Sequence, residues 1–91
     1  MSAVRVIVEG RVQGVGYRAF VVDEAAARGL TGWVRNLRDG SVEMVLSGGE
    51  ADIDGMIAAC RKGPRFASVT SVRSSLAPDE GWPDFTVRPA P

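Results

Sequence analysis

Trp33-Val34-Arg35-Asn36-Leu37-Arg38-Asp39-Gly40-Ser41-Val42-Glu43-Met44 holds two alternating apolar segments around a tight-turn signal, Arg38-Asp39-Gly40. Upstream of the turn, the pattern predicts a strand over residues 30–37 in which Val34 and Asn36 share one face while Trp33 and Arg35 share the other. Downstream, residues 41–47 resume the alternation with Val42, Met44 and Leu46. Two strands so close in sequence pair as a hairpin, so the sheet is antiparallel here. Asn36 follows a core valine inward, where a polar side chain needs a reason to be.

The antiparallel hairpin decides how the preceding stretch, Gly10-Arg11-Val12-Gln13-Gly14-Val15-Gly16-Tyr17-Arg18, is read. Gly14-Val15-Gly16-Tyr17-Arg18-Ala19 fits the G-x-G-x-x-A dinucleotide fingerprint, but that motif belongs to a parallel sheet with an acidic residue about 20 positions on. A phosphate-binding Walker loop is excluded because no G-K-[ST] is present and Lys62 is the only lysine. Gly16-Tyr17-x-Ala19-Phe20-Val21 imitates an RNA-recognition signature, yet it falls in a helical pattern and lacks the basic lead and second ring. What remains is an anion cradle. Two glycines one residue apart let successive N–H groups converge, and a helix starting there adds the positive end of its dipole. Arg18 falls in the first helical turn, at i, i+4 and i+7 with Val22 and Ala25, which predicts an inward guanidinium.

Working outward, residues 3–9 alternate as a strand, with Val4, Val6 and Val8 against Arg5, Ile7 and Glu9. Residues 17–28 lack glycine and proline, and a stripe of Val21, Val22, Ala25 and Ala26 opposes Asp23 and Glu24 before Gly29 ends the helix. Phe20 lies off that stripe. Glu50–Lys62 carries acids at its start, bases at its end, the stop Gly63-Pro64, and a stripe of Ile53, Met56, Ile57 and Cys60. Residues 69–76 and 84–88 read as a fourth strand and a short fifth, joined by a loop over 77–83. The order β, α, β, β, α, β plus a short extra strand is an α+β plan. It predicts a ferredoxin-like sandwich, an antiparallel sheet with two helices on one face, as one domain over residues 1–91.

Composition narrows the functional classes. Eleven acids balance eleven bases, so the broad basic surface that nucleic-acid binding needs is missing. There is neither a charged-then-apolar leader nor an apolar run near about 18 residues, which predicts a cytoplasmic protein without membrane contact. The chain has no histidine and one cysteine, which excludes an intrachain disulfide and argues against a usual zinc or Cys/His site. Cys60 reads as a small buried hydrophobe. Arg11, Arg35 and Arg38 read as solvated charges, and Trp33 as strand packing.

The two stretches together resemble the acylphosphatases, small ferredoxin-like enzymes that hydrolyse carboxyl-phosphate anhydrides. The likeness runs through Gly10 to Arg18, then Gly32-Trp33-Val34-Arg35-Asn36-Leu37 and Asp39-Gly40-Ser41-Val42-Glu43, with weaker matches at Arg61-Lys62-Gly63-Pro64 and Phe85-x-Val87. Tyr17 stands where the family commonly has phenylalanine. The resemblance implies that Arg18 and the loop over Gln13, Gly14, Val15, Gly16 and Tyr17 bind the phosphoryl group, and that Asn36 positions the attacking water. The expected partner is a small acyl phosphate; no cofactor and no metal are expected, and a monomer is expected.

The residues present suit that chemistry. An acyl phosphate expels a carboxylate that is stable at neutral pH, so no general acid is needed, whereas a phosphate ester expels an alkoxide and usually needs one or a metal. Phosphoryl transfer needs a positioned nucleophile and neutralised oxygen charge, which an arginine fork, loop amides and a helix N-terminus supply. Two other classes remain: an accessory module of the kind found in larger carbamoyl-transfer proteins, and a plain protein-binding module.

Overall fold

The computed structural model describes residues 3–91. Its elements follow the expected order: β1 (Ala3–Arg11), α1 (Tyr17–Ala27), β2 (Thr31–Asn36), β3 (Val42–Ser47), α2 (Glu50–Lys62), β4 (Ser68–Ala77) and β5 (Phe85–Val87). They build one sheet in the order β4-β1-β3-β2-β5. The β2–β3 hairpin is antiparallel, with Trp33 opposite Val45 and Asn36 opposite Val42. Both β1 and β4 join antiparallel as well, while β5 runs parallel to β2, which makes the sheet mixed at that edge. β1 extends two residues beyond the predicted 3–9, because Gly10 and Arg11 stay paired with β4 across a bulge at Glu9/Gly10.

Only β3 separates β1 from β2. The loop that leaves β1 and the turn that leaves β2 therefore open on the same end of the sheet, roughly 10 Å apart at ordinary strand spacing. This topology brings two stretches distant in sequence to one place.

Alternation puts Val6, Val8, Val34, Val42, Met44 and Leu46 on the helix-covered face, where they meet Tyr17, Val21 and Ala25 of α1 and Ile53, Met56 and Cys60 of α2. Each full burial of such a side chain contributes about 1.5–3 kcal/mol. The α1 stripe differs from the predicted one. It runs Tyr17, Val21, Ala25, so the helix is turned about one residue, leaving Ala26 and Arg18 exposed. Phe20 also finds its account: partly buried, it packs on the core with its ring 5.7 Å from that of Tyr17.

The other face of the sheet carries a smaller cluster of Ala3, Trp33 and Val45, covered in part by Ala77 at the end of β4 and by Trp82 from the β4–β5 connection. Beside it the buried Glu43 carboxylate accepts from Arg5 at 2.5 Å and from Arg35 at 2.6 Å. A buried charge persists only when paired, so Arg35 is a partner of Glu43 rather than a solvated charge. The Arg35 and Arg88 guanidinium carbons lie 4.9 and 4.6 Å from the Trp33 ring centroid, within cation–π range. Trp33 is strand packing, as its parity predicts. Arg38 is exposed and donates to the Pro91 carbonyl at 2.6 Å.

Candidate active site

Between β1 and α1 the chain turns through Gly14 and Gly16, both in the left-handed region at φ 75° and 77°. A side chain there would be strained even though nothing crowds either Cβ position, so the glycines serve the backbone path. Gly16 is the N-cap of α1 and offers no side chain to its first turn. The first helical bond runs from the Phe20 N–H to the Gly16 carbonyl at 3.0 Å. Among the described residues, the N–H groups from Gly14 to Ala19 donate to no protein acceptor. Unpartnered amides at a helix N-terminus form an anion-binding surface.

This surface lines a cavity of about 360 Å³, together with Val12, Gln13, Arg18, Asn36 and Val87. Of the residues expected to bind phosphate, Gln13, Gly14, Gly16, Tyr17 and Arg18 line it; Val15 packs partly buried against the core instead. Arg18 is exposed at its rim and not inward, and no carboxylate among the described residues pairs with it. A surface ion pair, the common fate of an arginine, does not account for it. Asn36 reaches the same cavity from the end of β2. Its Oδ1 is buried without a hydrogen-bond partner, the one such side-chain atom among the described residues. A buried acceptor left unmatched by the protein costs about 1–3 kcal/mol unless something else donates to it.

Val12, Ala19 and Val87 line the cavity beyond the residues expected from sequence. Val87 arrives from the far end of the chain because β5 pairs in parallel with β2, setting Val87 beside Val34. No local pattern could have indicated that pairing. The Gln13 side chain is engaged elsewhere than expected: its Nε2 donates at 2.8 Å to both the Leu37 and Ser41 carbonyls.

The Tyr17 hydroxyl points away from the cavity. It donates to the Cys60 carbonyl at 2.8 Å within the core. Burial pushes its titration well above the ordinary tyrosine range. Burial likewise pushes the Cys60 thiol up to about 11, and its Sγ lies 3.8 Å from Met44 Sδ. Neither group is a poised nucleophile or base. A larger groove of about 450 Å³ lies between α2 and β4, but its charged lining residues, Glu50 and Asp54, are both acids. Of the two, the smaller cavity has the cationic lining, Arg18, that suits an anion.

An acylphosphatase family model matches residues 4–87. The chain belongs to the acylphosphatase family. It is 55% identical to a curated acylphosphatase of Rhodopseudomonas palustris, over 80% of this chain and 74% of that one. A crystal structure of acylphosphatase from Bacillus subtilis superposes with a TM-score of 0.92 at 40% identity, covering 97% of this chain and 99% of that one. The ferredoxin-like acylphosphatase fold also matches full-length HypF in its phosphate- and nucleotide-bound form, with a TM-score of 0.91 at 27% identity, over 98% of this chain but 12% of HypF.

Proposed function

We propose that this chain is an acylphosphatase that hydrolyses the carboxyl-phosphate anhydride of acyl phosphates to a carboxylate and inorganic phosphate. One observation carries the reading: a single cavity combines donors without acceptors, the loop amides and Arg18, with an acceptor without a donor, Asn36 Oδ1. The donors suit the phosphoryl oxygens. The acceptor suits water.

In the mechanism we propose, the amides of Gln13 to Arg18 and the Arg18 guanidinium hold the phosphoryl oxygens and offset the charge that spreads over them in the transition state. Asn36 Oδ1 accepts from a water and aligns its oxygen with phosphorus, opposite the acyl oxygen. A new P–O bond forms to the water while the bond to the acyl oxygen breaks, and the carboxylate leaves without a proton. Asn36 has no basicity to take the water's proton, so a phosphate oxygen of the substrate accepts it. Residues 1–91 act as one acylphosphatase-like domain. All the side chains invoked come from one chain, which suits a monomer. No helix among the described residues is long and apolar enough to cross a membrane. We place the enzyme in the cytoplasm, without a nucleic-acid partner, in keeping with its balanced charge.

An accessory role inside a larger protein, as the likeness to HypF would suggest, is not favoured, because the nearer relatives at 55% and 40% identity are acylphosphatases. Phosphate release from acetyl phosphate, measured beside an alkyl phosphate monoester, tests the proposal. Hydrolysis of the anhydride alone is expected. An inert response to acetyl phosphate would overturn it.

A further inference from the structure

The Gln13 side chain connects the two halves of the cavity. Its amide nitrogen has two protons, and both are used, at 2.8 Å to the Leu37 carbonyl and 2.8 Å to the Ser41 carbonyl. Those donors are therefore turned from the anion toward the β2–β3 turn. The turn is itself tightly framed: Leu37 N–H donates to the Ser41 carbonyl at 2.9 Å, and Gly40 N–H to the Leu37 carbonyl at 3.3 Å. Asp39 Oδ1 accepts from the Ser41 N–H at 2.9 Å and from its hydroxyl at 2.5 Å. Asn36 is the residue immediately before Leu37, and Gly14 immediately follows Gln13.

We propose that Gln13 is a positioning residue, whose side-chain amide fixes the distance between the anion cradle and Asn36 and so the line along which water attacks. The inference rests on the acyl phosphate reading of the cavity and assigns Gln13's side chain a role beyond phosphate binding. The cradle's own shape comes from the left-handed glycines and the start of α1, which do not depend on the Gln13 side chain. Losing the brace therefore leaves the phosphate held and the water misaimed. A misplacement near 1 Å is enough to slow a reaction by about 10²-fold.

The test is a double-mutant cycle in the purified full chain, with kcat for acetyl phosphate and competitive inhibition by inorganic phosphate as readouts. Gln13→Met keeps the length and removes both donors. It should lower kcat by about tenfold or more while phosphate inhibition changes by less than about twofold. In an Asn36→Ala background, where there is no positioned water left to disturb, the same substitution should lower kcat by less than about twofold. Gln13→Glu gives a second route if the methionine variant does not fold. Its carboxyl recovers a donor only when protonated, so its kcat relative to wild type should rise as pH falls from about 7 to about 4. Losses that add across the cycle, phosphate inhibition weakening in step with kcat, or a pH-independent ratio for Gln13→Glu would overturn the inference. If Asn36→Ala itself keeps wild-type kcat, the reading of the cavity fails and the inference fails with it. An additive cycle beside a crippled Asn36→Ala defeats the inference alone.

Discussion

The Tyr17 hydroxyl donates to the Cys60 carbonyl at 2.8 Å, joining the first turn of α1 to the last turn of α2. The carbonyl needs that donor. In a continuing helix its partner would be the N–H four residues on, but that residue is Pro64, which has none. Tyr17→Phe should then leave a buried carbonyl unmatched and destabilise the protein by about 1–3 kcal/mol. Urea unfolding of the two proteins checks this, with equal midpoints counting against the bond's importance.

Arg18→Ala should weaken phosphate inhibition and lower turnover by at least about 10²-fold, the scale for losing one preorganised donor at a developing oxyanion. Because Arg18 is exposed, the thermal midpoint should barely move. Arg18→Lys should restore only part of the loss, since an ammonium keeps the charge but not the planar fork. Near-normal hydrolysis and phosphate affinity in Arg18→Ala would mean the anion sits elsewhere.

Asn36→Ala should act differently, lowering kcat while phosphate inhibition stays within about threefold, because positioning a water matters mainly in the transition state. It also removes the buried unmatched Oδ1, so stability should hold or rise slightly. Equal losses of kcat and phosphate affinity would make Asn36 a structural residue of the turn.

Much of this architecture was legible in short-range pattern. The hairpin around Asp39-Gly40 decided the antiparallel sheet, and both helices announced their ends through Gly29 and Gly63-Pro64. The α1 stripe was less legible: alanines and valines on adjacent positions leave the phase of a helical wheel loosely defined, and Tyr17, at the first helical position, lies outside the stripe read from Val21, Val22, Ala25 and Ala26. Burial of Tyr17 settles that phase and turns Arg18 outward. Asn36 was legible because a polar residue followed a core valine. The reach of Gln13 to Leu37 and Ser41, and of Val87 to the cavity, depends on contacts made only when distant strands pair.

Acid should loosen the β2–β3 turn. The Ser41 hydroxyl and then its N–H hold the Asp39 carboxyl below its ordinary value of 3.8. A group whose folded value is depressed adds stability that is present above its unfolded value and lost as pH falls through the folded one. The contribution should therefore be complete above about pH 5 and fade below about pH 4. Asp39→Asn keeps an acceptor but cannot titrate, so its thermal midpoint should fall less than the wild type's between pH 5 and pH 3. Parallel declines would remove Asp39 from the account. Asp79, held below its ordinary value mainly by the Ser47 hydroxyl, titrates in the same direction and is present in both proteins.

The rate should behave differently from stability, staying flat between about pH 5 and 8. The chain has no histidine, the residue that ordinarily changes charge in that interval. Burial moves the Cys60 thiol up to about 11 and the Tyr17 hydroxyl beyond the usual range, so neither enters it from above. A guanidinium keeps its charge throughout, an amide does not ionise, and a departing carboxylate needs no proton. Only the substrate's own phosphate ionisation should bend the profile. A chelator should leave the rate unchanged, because the proposed steps use an arginine, backbone amides and a water, each supplied without a metal ligand set. The measurement is kcat/KM for acetyl phosphate across that interval, with and without EDTA, corrected for substrate ionisation and spontaneous hydrolysis. A bell-shaped curve surviving correction would reveal a side-chain acid or base in the reaction. Loss of activity with EDTA would replace the metal-free mechanism with one in which a cation carries part of the charge now given to Arg18.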